Sequence, residues 1–125
     1  MGEPQASAEA KILTAEQVFK TQDIPDAELV NVPEWGGSLY VRVMSGTERD
    51  RWELMVEPGI KSKNANVRAA LVAMCACDAN GKRVFSDGQA AQLGSKTSVP
   101  LDRLLSAAQR INKIRDADIE ELEKN

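Results

Sequence analysis

The sequence contains no histidine, which removes the commonest general base and the usual activating partner of a serine or cysteine nucleophile. Its two cysteines, Cys75 and Cys77, stand in a Cys-Ala-Cys triplet. Two thiols without histidine cannot close a structural zinc site, so they read as small buried hydrophobes kept reduced in a cytoplasmic setting. Aromatic residues make up only 4% of the chain: Trp35, Trp52, Phe19, Phe85 and Tyr40. A core must therefore be built from Leu, Val, Ile, Ala and Met. No apolar run is long enough to cross a bilayer. The opening residues include Glu3, Pro4 and Glu9 and lack the positive start and apolar stretch of a secretion signal.

Clustered basic charge is also missing. The net charge is -3, and the densest basic stretch, Lys61 and Lys63 with Arg68 beyond, has no interleaved aromatics. It reads as a solvated loop rather than a nucleic-acid footprint. The carboxylate pairs Glu48/Asp50 and Glu120/Glu121 fall in a helix first turn and on a solvated face, where capping and solubility explain them. Gly36-Gly37 lacks the lysine and following helix of a phosphate loop. The expectation is a protein with no enzyme chemistry, no cofactor and no metal.

What is present is a chain of 125 residues, 42% hydrophobic, which fits one domain. Residues 1–11 are polar and patternless and read as a flexible leader; residues 12–125 read as a single α+β domain. A β-hairpin region lies in the N-terminal half and a mostly helical half follows. Thr14 and Gln17 have capping-box spacing for a short helix at about 14–21, ended by Pro25. The runs Glu28–Val32 and Leu39–Met44 are rich in β-branched residues and flank Pro33-Glu34-Trp35-Gly36-Gly37-Ser38, a hairpin in which the glycines can take positive φ. Thr47 is the expected cap of a helix from Glu48, with Trp52, Met55 and Val56 on its inner face and Pro58-Gly59 as its stop.

Val67, Ala70, Leu71, Met74 and Cys75 have helical spacing, with Asn66 as cap. Leu71, Ala73, Cys75 and Cys77 also alternate as a strand would. The favoured reading is a helix that gives way near Cys75 to a short hairpin through Asp78–Gly81 into Lys82–Phe85. Ser86 and Gln89 start a short helix that Gly94 ends. Ser98 is the expected cap of a longer one with Pro100 in its first turn, and Asp116 begins the last.

Two surfaces are candidates for association. Trp35 at the hairpin tip, with Tyr40 nearby, is of the residue type that dominates interface energy, although the indole can equally fold back onto the core. The helix from about Ser98 to Lys113 carries Leu101, Leu104, Leu105, Ala107, Ala108, Ile111 and Ile114, more than one core face requires. Beside it, Ile119 and Leu122 sit in the acidic segment Asp116–Glu123. This pair of helices is either a groove for a helical partner or the main core with a terminal lid.

The stretch Val32-Pro33-Glu34-Trp35-Gly36-Gly37-Ser38-Leu39-Tyr40-Val41-Arg42, followed by Ser45-Gly46-Thr47-Glu48-Arg49-Asp50, resembles the opening of the tail assembly chaperones of long-tailed bacteriophages. The likeness continues through Asn66–Ala73, Asp78–Phe85, Leu101–Leu104 and Glu120–Asn125, over roughly residues 12–125. It implies a non-enzymatic, lambda-type chaperone that coats the tape measure protein before the tail tube polymerises and leaves before the virion is complete. It further implies homo-oligomerisation, action in the bacterial cytoplasm, and recruitment of the tail tube protein by a longer, frameshifted form, this chain being similar to the short one. The alternative is a small phage structural subunit or regulatory adaptor with no client-coating role. Neither nucleic acid nor a membrane is an expected partner.

Overall fold

The computed structural model describes residues 9–56 and 66–124. Most of the leader (residues 1–8), the Pro58-Gly59 stop and the basic Lys61–Lys63 stretch therefore lie outside the described residues. The architecture is α+β: a three-stranded antiparallel sheet drawn largely from the N-terminal half, packed with helices that mostly follow it.

The hairpin forms where its composition directs. Strand β1 (Glu28–Val32) pairs with β2 (Gly37–Val41), Glu28 opposite Val41 and Val32 opposite Gly37. Between them Pro33–Trp35 makes one 3-10 turn, and Gly36, at φ 80°, closes it by donating its N–H to the Pro33 carbonyl at 3.0 Å. Gly36 alone of the pair uses the left-handed region, which costs a glycine nothing. β2 ends at Val41, before the run Leu39–Met44 is complete, because the next helix begins sooner than Thr47 suggests. Ser45 is the cap: its hydroxyl accepts the Glu48 N–H at 3.1 Å while the Glu48 carboxylate accepts the Ser45 N–H at 2.9 Å. That capping box starts α2 at Gly46–Met55.

The centre of the molecule is α3 (Val67–Cys75), buried at every residue except Arg68. It runs without a break into β3 (Ala76–Cys77), which pairs with β2 through Tyr40–Cys77 and Val41–Ala76. Both periodicities in the 67–77 stretch are thus real and successive. A helix exposed only at Arg68 has almost no polar face to sharpen its 3.6-residue period. The return after Asp78–Gly81 is weaker than its sequence suggests, a lone bridge between Cys77 and Arg83. Asn66 precedes α3 in the left-handed region (φ 57°) and makes no side-chain cap bond.

The remaining helices follow the capping signals closely. The Thr14–Gln17 box starts α1 (Ala15–Lys20), and the Ser86–Gln89 box leads through a 3-10 turn into α4 (Ala90–Leu93). α5 spans Ser98–Asn112, so Ser98 is its first residue rather than its cap. α6 spans Asp116–Glu123. Among the described residues no helix is long and apolar enough to cross a membrane.

The core gathers around α3. Trp52 is fully buried and its Nε1–H donates to the Val67 carbonyl at 3.2 Å, tying α2 to the first turn of α3. Leu101, Leu104, Leu105, Ala107 and Ala108 cover the other side from α5, and Ile119 of α6 is wholly enclosed. Replacing Ile119 by alanine is therefore expected to cost about 2–5 kcal/mol, read as a lowered urea midpoint. An unchanged midpoint would show that α6 is not a lid on this core.

Candidate interaction surface

The structure separates the association candidates into two groups. Leu104, Leu105 and Ile119 lie inside the core and present no surface to a partner in this conformation. Trp35, Tyr40, Ile111 and Leu122 remain partly exposed, with Trp35, Ile111 and Leu122 packed against the core cluster on one side. Both α5 and α6 pack on α3: the inward stripe of α5 is spent on it, and Ile119 of α6 is buried in the same core cluster.

The hairpin's first arm is held to α5 by two forked ion pairs, one at the tip and one at the base. Arg103 donates to Glu34 at 2.6 and 2.8 Å, and Arg110 donates to Glu28 at 2.9 and 2.6 Å. The seven residues between the arginines are two helical turns, so both guanidiniums emerge on one face of α5 and meet the two ends of the hairpin's first arm. The forked hydrogen bonds from Arg103 hold the Glu34 carboxyl down to about 2, and those from Arg110 lower that of Glu28. This fixes Trp35, which packs against the core cluster and borders a groove of about 210 Å³ with Val32, Leu39 and Phe85. Phe85 also borders an adjoining hollow of about 120 Å³ with Gln89, Gln92, Leu93 and Lys96.

Tyr40 lies on the opposite side of β2. It lines an open hollow of about 550 Å³ with Ile24–Ala27, Arg42, Val43 and the turn Ala79–Gly81. Val43 also borders a second open hollow of about 500 Å³, which reaches Met44, Arg49, Glu53 and Ile111. Tyr40, Val43 and Ile111 thus mark one continuous, partly apolar face bordered by charged side chains.

The thiols are structural in placement. Cys75 is fully buried and burial pushes its thiol up to about 12; Cys77 is also buried and raised for the same reason. Among the described residues no cluster of three or more His, Cys, Asp or Glu could hold a metal. Asn112, the polar residue that ends α5, works as a clasp. Its Oδ1 accepts the Met44 N–H at 2.7 Å and its Nδ2 donates to the Ala108 carbonyl at 2.9 Å. Only the pairing of a polar residue with a helix's inner stripe hinted at this.

These ion pairs carry a pH signature. Glu34 and Glu28 have depressed folded-state values, so their contribution is present above the ordinary glutamate range near 4.5 and is lost as pH falls below it, for Glu34 toward about 2. The urea midpoint of the wild type is expected to drop over that window, and Arg103→Gln should drop less steeply. Parallel acid profiles for the two proteins would contradict the assignment.

No curated protein matches the chain as a relative. Among solved structures, the bacteriophage HK97 tail assembly chaperone is similar at 25% identity and a TM-score of 0.51, over 71% of this chain and 87% of that one. The family model described as phage tail assembly chaperone matches residues 7–125. With nearly the whole sequence matched and the fold shared, this chain belongs to the phage tail assembly chaperone family.

Proposed function

We propose that this chain is a non-enzymatic chaperone that binds and coats the tape measure protein during tail assembly. The observation that carries the reading is the family match over residues 7–125, joined to a fold shared with a tail assembly chaperone. The molecule's surface supports it. The conspicuous features are open, partly apolar hollows and forked ion pairs, which suit a binding module. A tape measure client with long helices would present apolar stripes. The hollows at Tyr40, Val43 and Ile111 give such a stripe a shallow, partly apolar seat. The exposed acids Asp116, Glu120 and Glu121 of α6 favour a client with basic flanks.

In this reading several copies cover one client in the bacterial cytoplasm and associate with one another while doing so. The tail tube protein is recruited through a longer frameshifted form, and all copies leave before the virion is complete. Co-expression tests the central step. The tape measure protein, insoluble alone, is expected to stay soluble with this chain at several copies per client. A client that remains insoluble, or a complex at one copy per client, would instead favour a structural subunit or adaptor.

A further inference from the structure

The hollow beside Tyr40 is walled in part by the root of the α1 arm. Ile24–Ala27 line its volume of about 550 Å³ together with Tyr40, Val43 and the turn Ala79–Gly81. Before this root the arm commits nothing to the core. α1 starts from a full capping box at Thr14 and buries none of its residues. Ile12 is 80% exposed and Phe19 84%, with Leu13, Val18 and Ile24 about half. A helix of six residues is marginal unless an apolar face packs on something. An apolar arm hinged at the wall of an open, partly apolar hollow calls for an occupant that both can touch.

Size decides what kind of occupant that is. One turn of α-helix, about 10 Å across and 5.4 Å high, fills roughly 420 Å³. The hollow thus seats about one turn and leaves the far side of a bound helix bare. Phe19 stands five residues before Ile24, a reach of up to about 17 Å. That exceeds the diameter of a helix, so the arm can pass over a seated turn and lay Val18 and Phe19 on it. Charge narrows the choice. Asp23 and Asp26 are exposed at the hinge, and among the described residues neither makes an ion pair. Arg42 also borders the hollow, but its guanidinium is forked onto Glu48. The uncompensated charge at the hinge is negative and suits a lysine or arginine beside the occupant's apolar residues. The arm of another copy fits poorly, since residues 9–26 carry Glu9, Glu16, Asp23 and Asp26 against only Lys11 and Lys20.

We propose that the α1 arm is a strap that closes over a basic amphipathic helix of the client once a turn of that helix sits in the Tyr40 hollow. Asp23 and Asp26 meet the client's cation, while Val18 and Phe19 cover its apolar side. Closure orders the arm, and the entropy lost in fixing it offsets part of the contact energy. The grip is therefore reversible, and it opens without breaking any contact of the core. This deepens the coating reading and rests on it for the identity of the client.

The test uses the full chain and the tape measure protein. Binding is measured for the wild type, Phe19→Ala and Asp26→Lys, and hydrogen exchange follows Ala15–Lys20 with and without client. Both substitutions change exposed residues, so the urea midpoints are expected to stay at the wild-type value. Client should slow exchange of Ala15–Lys20 at least about tenfold. Phe19→Ala should bind at least about tenfold more weakly, the loss of one buried aromatic side chain. Asp26→Lys should bind about 2–5-fold more weakly at low salt and like the wild type at about 1 M salt. A wild type that does not bind the tape measure protein overturns the coating reading and the strap together. A wild type that binds it while Ala15–Lys20 stay unprotected, or that Phe19→Ala matches in affinity, overturns the strap alone. So does a Phe19→Ala whose weaker client binding is matched by an equal loss of client-free association in sedimentation velocity, which assigns the arm to a second copy.

Discussion

The fold depends on keeping α3 inside. A buried helix must satisfy its last carbonyls without water, and here that end meets guanidinium groups. Arg42 donates through Nη2 to the Met74 carbonyl at 3.0 Å and forks onto Glu48 at 3.0 and 2.7 Å. Arg83 donates to the Ala73 carbonyl at 3.2 and 2.8 Å and to Asp87 at 2.7 Å. Arg51 completes the group, donating to Asp87 and to the Met74 sulfur. Positive charge at a helix C-terminus is electrostatically favourable, and the low exposure of the Arg42–Glu48 pair strengthens it. Glu48 pairs with Arg42, and Asp87 is shared by Arg83 and Arg51, so two carboxylates hold three arginines in place.

Through this cluster the local pieces become one body. Arg42 follows β2, Glu48 belongs to the first turn of α2, and Met74 lies in the last turn of α3, so a single forked pair joins sheet, capping box and central helix. Glu48 serves twice, capping α2 by accepting the Ser45 N–H and holding Arg42. Losing one partner of such a half-buried pair would leave the other charge desolvated, at a cost of about 3–5 kcal/mol. The Arg42 main chain also donates its N–H to the Cys75 carbonyl at 3.0 Å, carrying the ladder one step beyond β2. The rigid centre lets the periphery stay open: a hairpin tip clamped by Arg103, two shallow hollows, and an arm that commits nothing to its own core.

Local signals were legible in the sequence wherever the chemistry was local. Thr14–Gln17, Ser86–Gln89, the β-branched runs about Trp35, and the acidic start of α6 all act within four residues, and each element stands where its residues indicate. Ser45 was masked by Thr47, since either hydroxyl precedes an acid at workable spacing; only the turn out of β2 decides between them. The 67–77 stretch was ambiguous for a different reason, since a helix exposed only at Arg68 carries almost no polar face. Residues acting across the fold were not legible. Nothing near Asn112 shows that Met44, 68 positions away, needs an acceptor. The surplus of leucine and isoleucine on α5 and α6 could be core or groove, and burial of Leu104, Leu105 and Ile119 places those side chains inside. Conversely, the exposure of Phe19 could not be read from a short capped helix that looks ready to pack.

Hydrogen exchange on the full chain, followed residue by residue at low concentration, addresses the division into a fixed centre and an uncommitted arm most directly. The account predicts that amides of Val67–Cys75 are among the slowest and exchange only through global unfolding, while those of Ala15–Lys20 exchange nearly as fast as an unstructured peptide. An α3 that exchanges ahead of the sheet and α5, or an α1 protected as strongly as the core in the monomer, would contradict it.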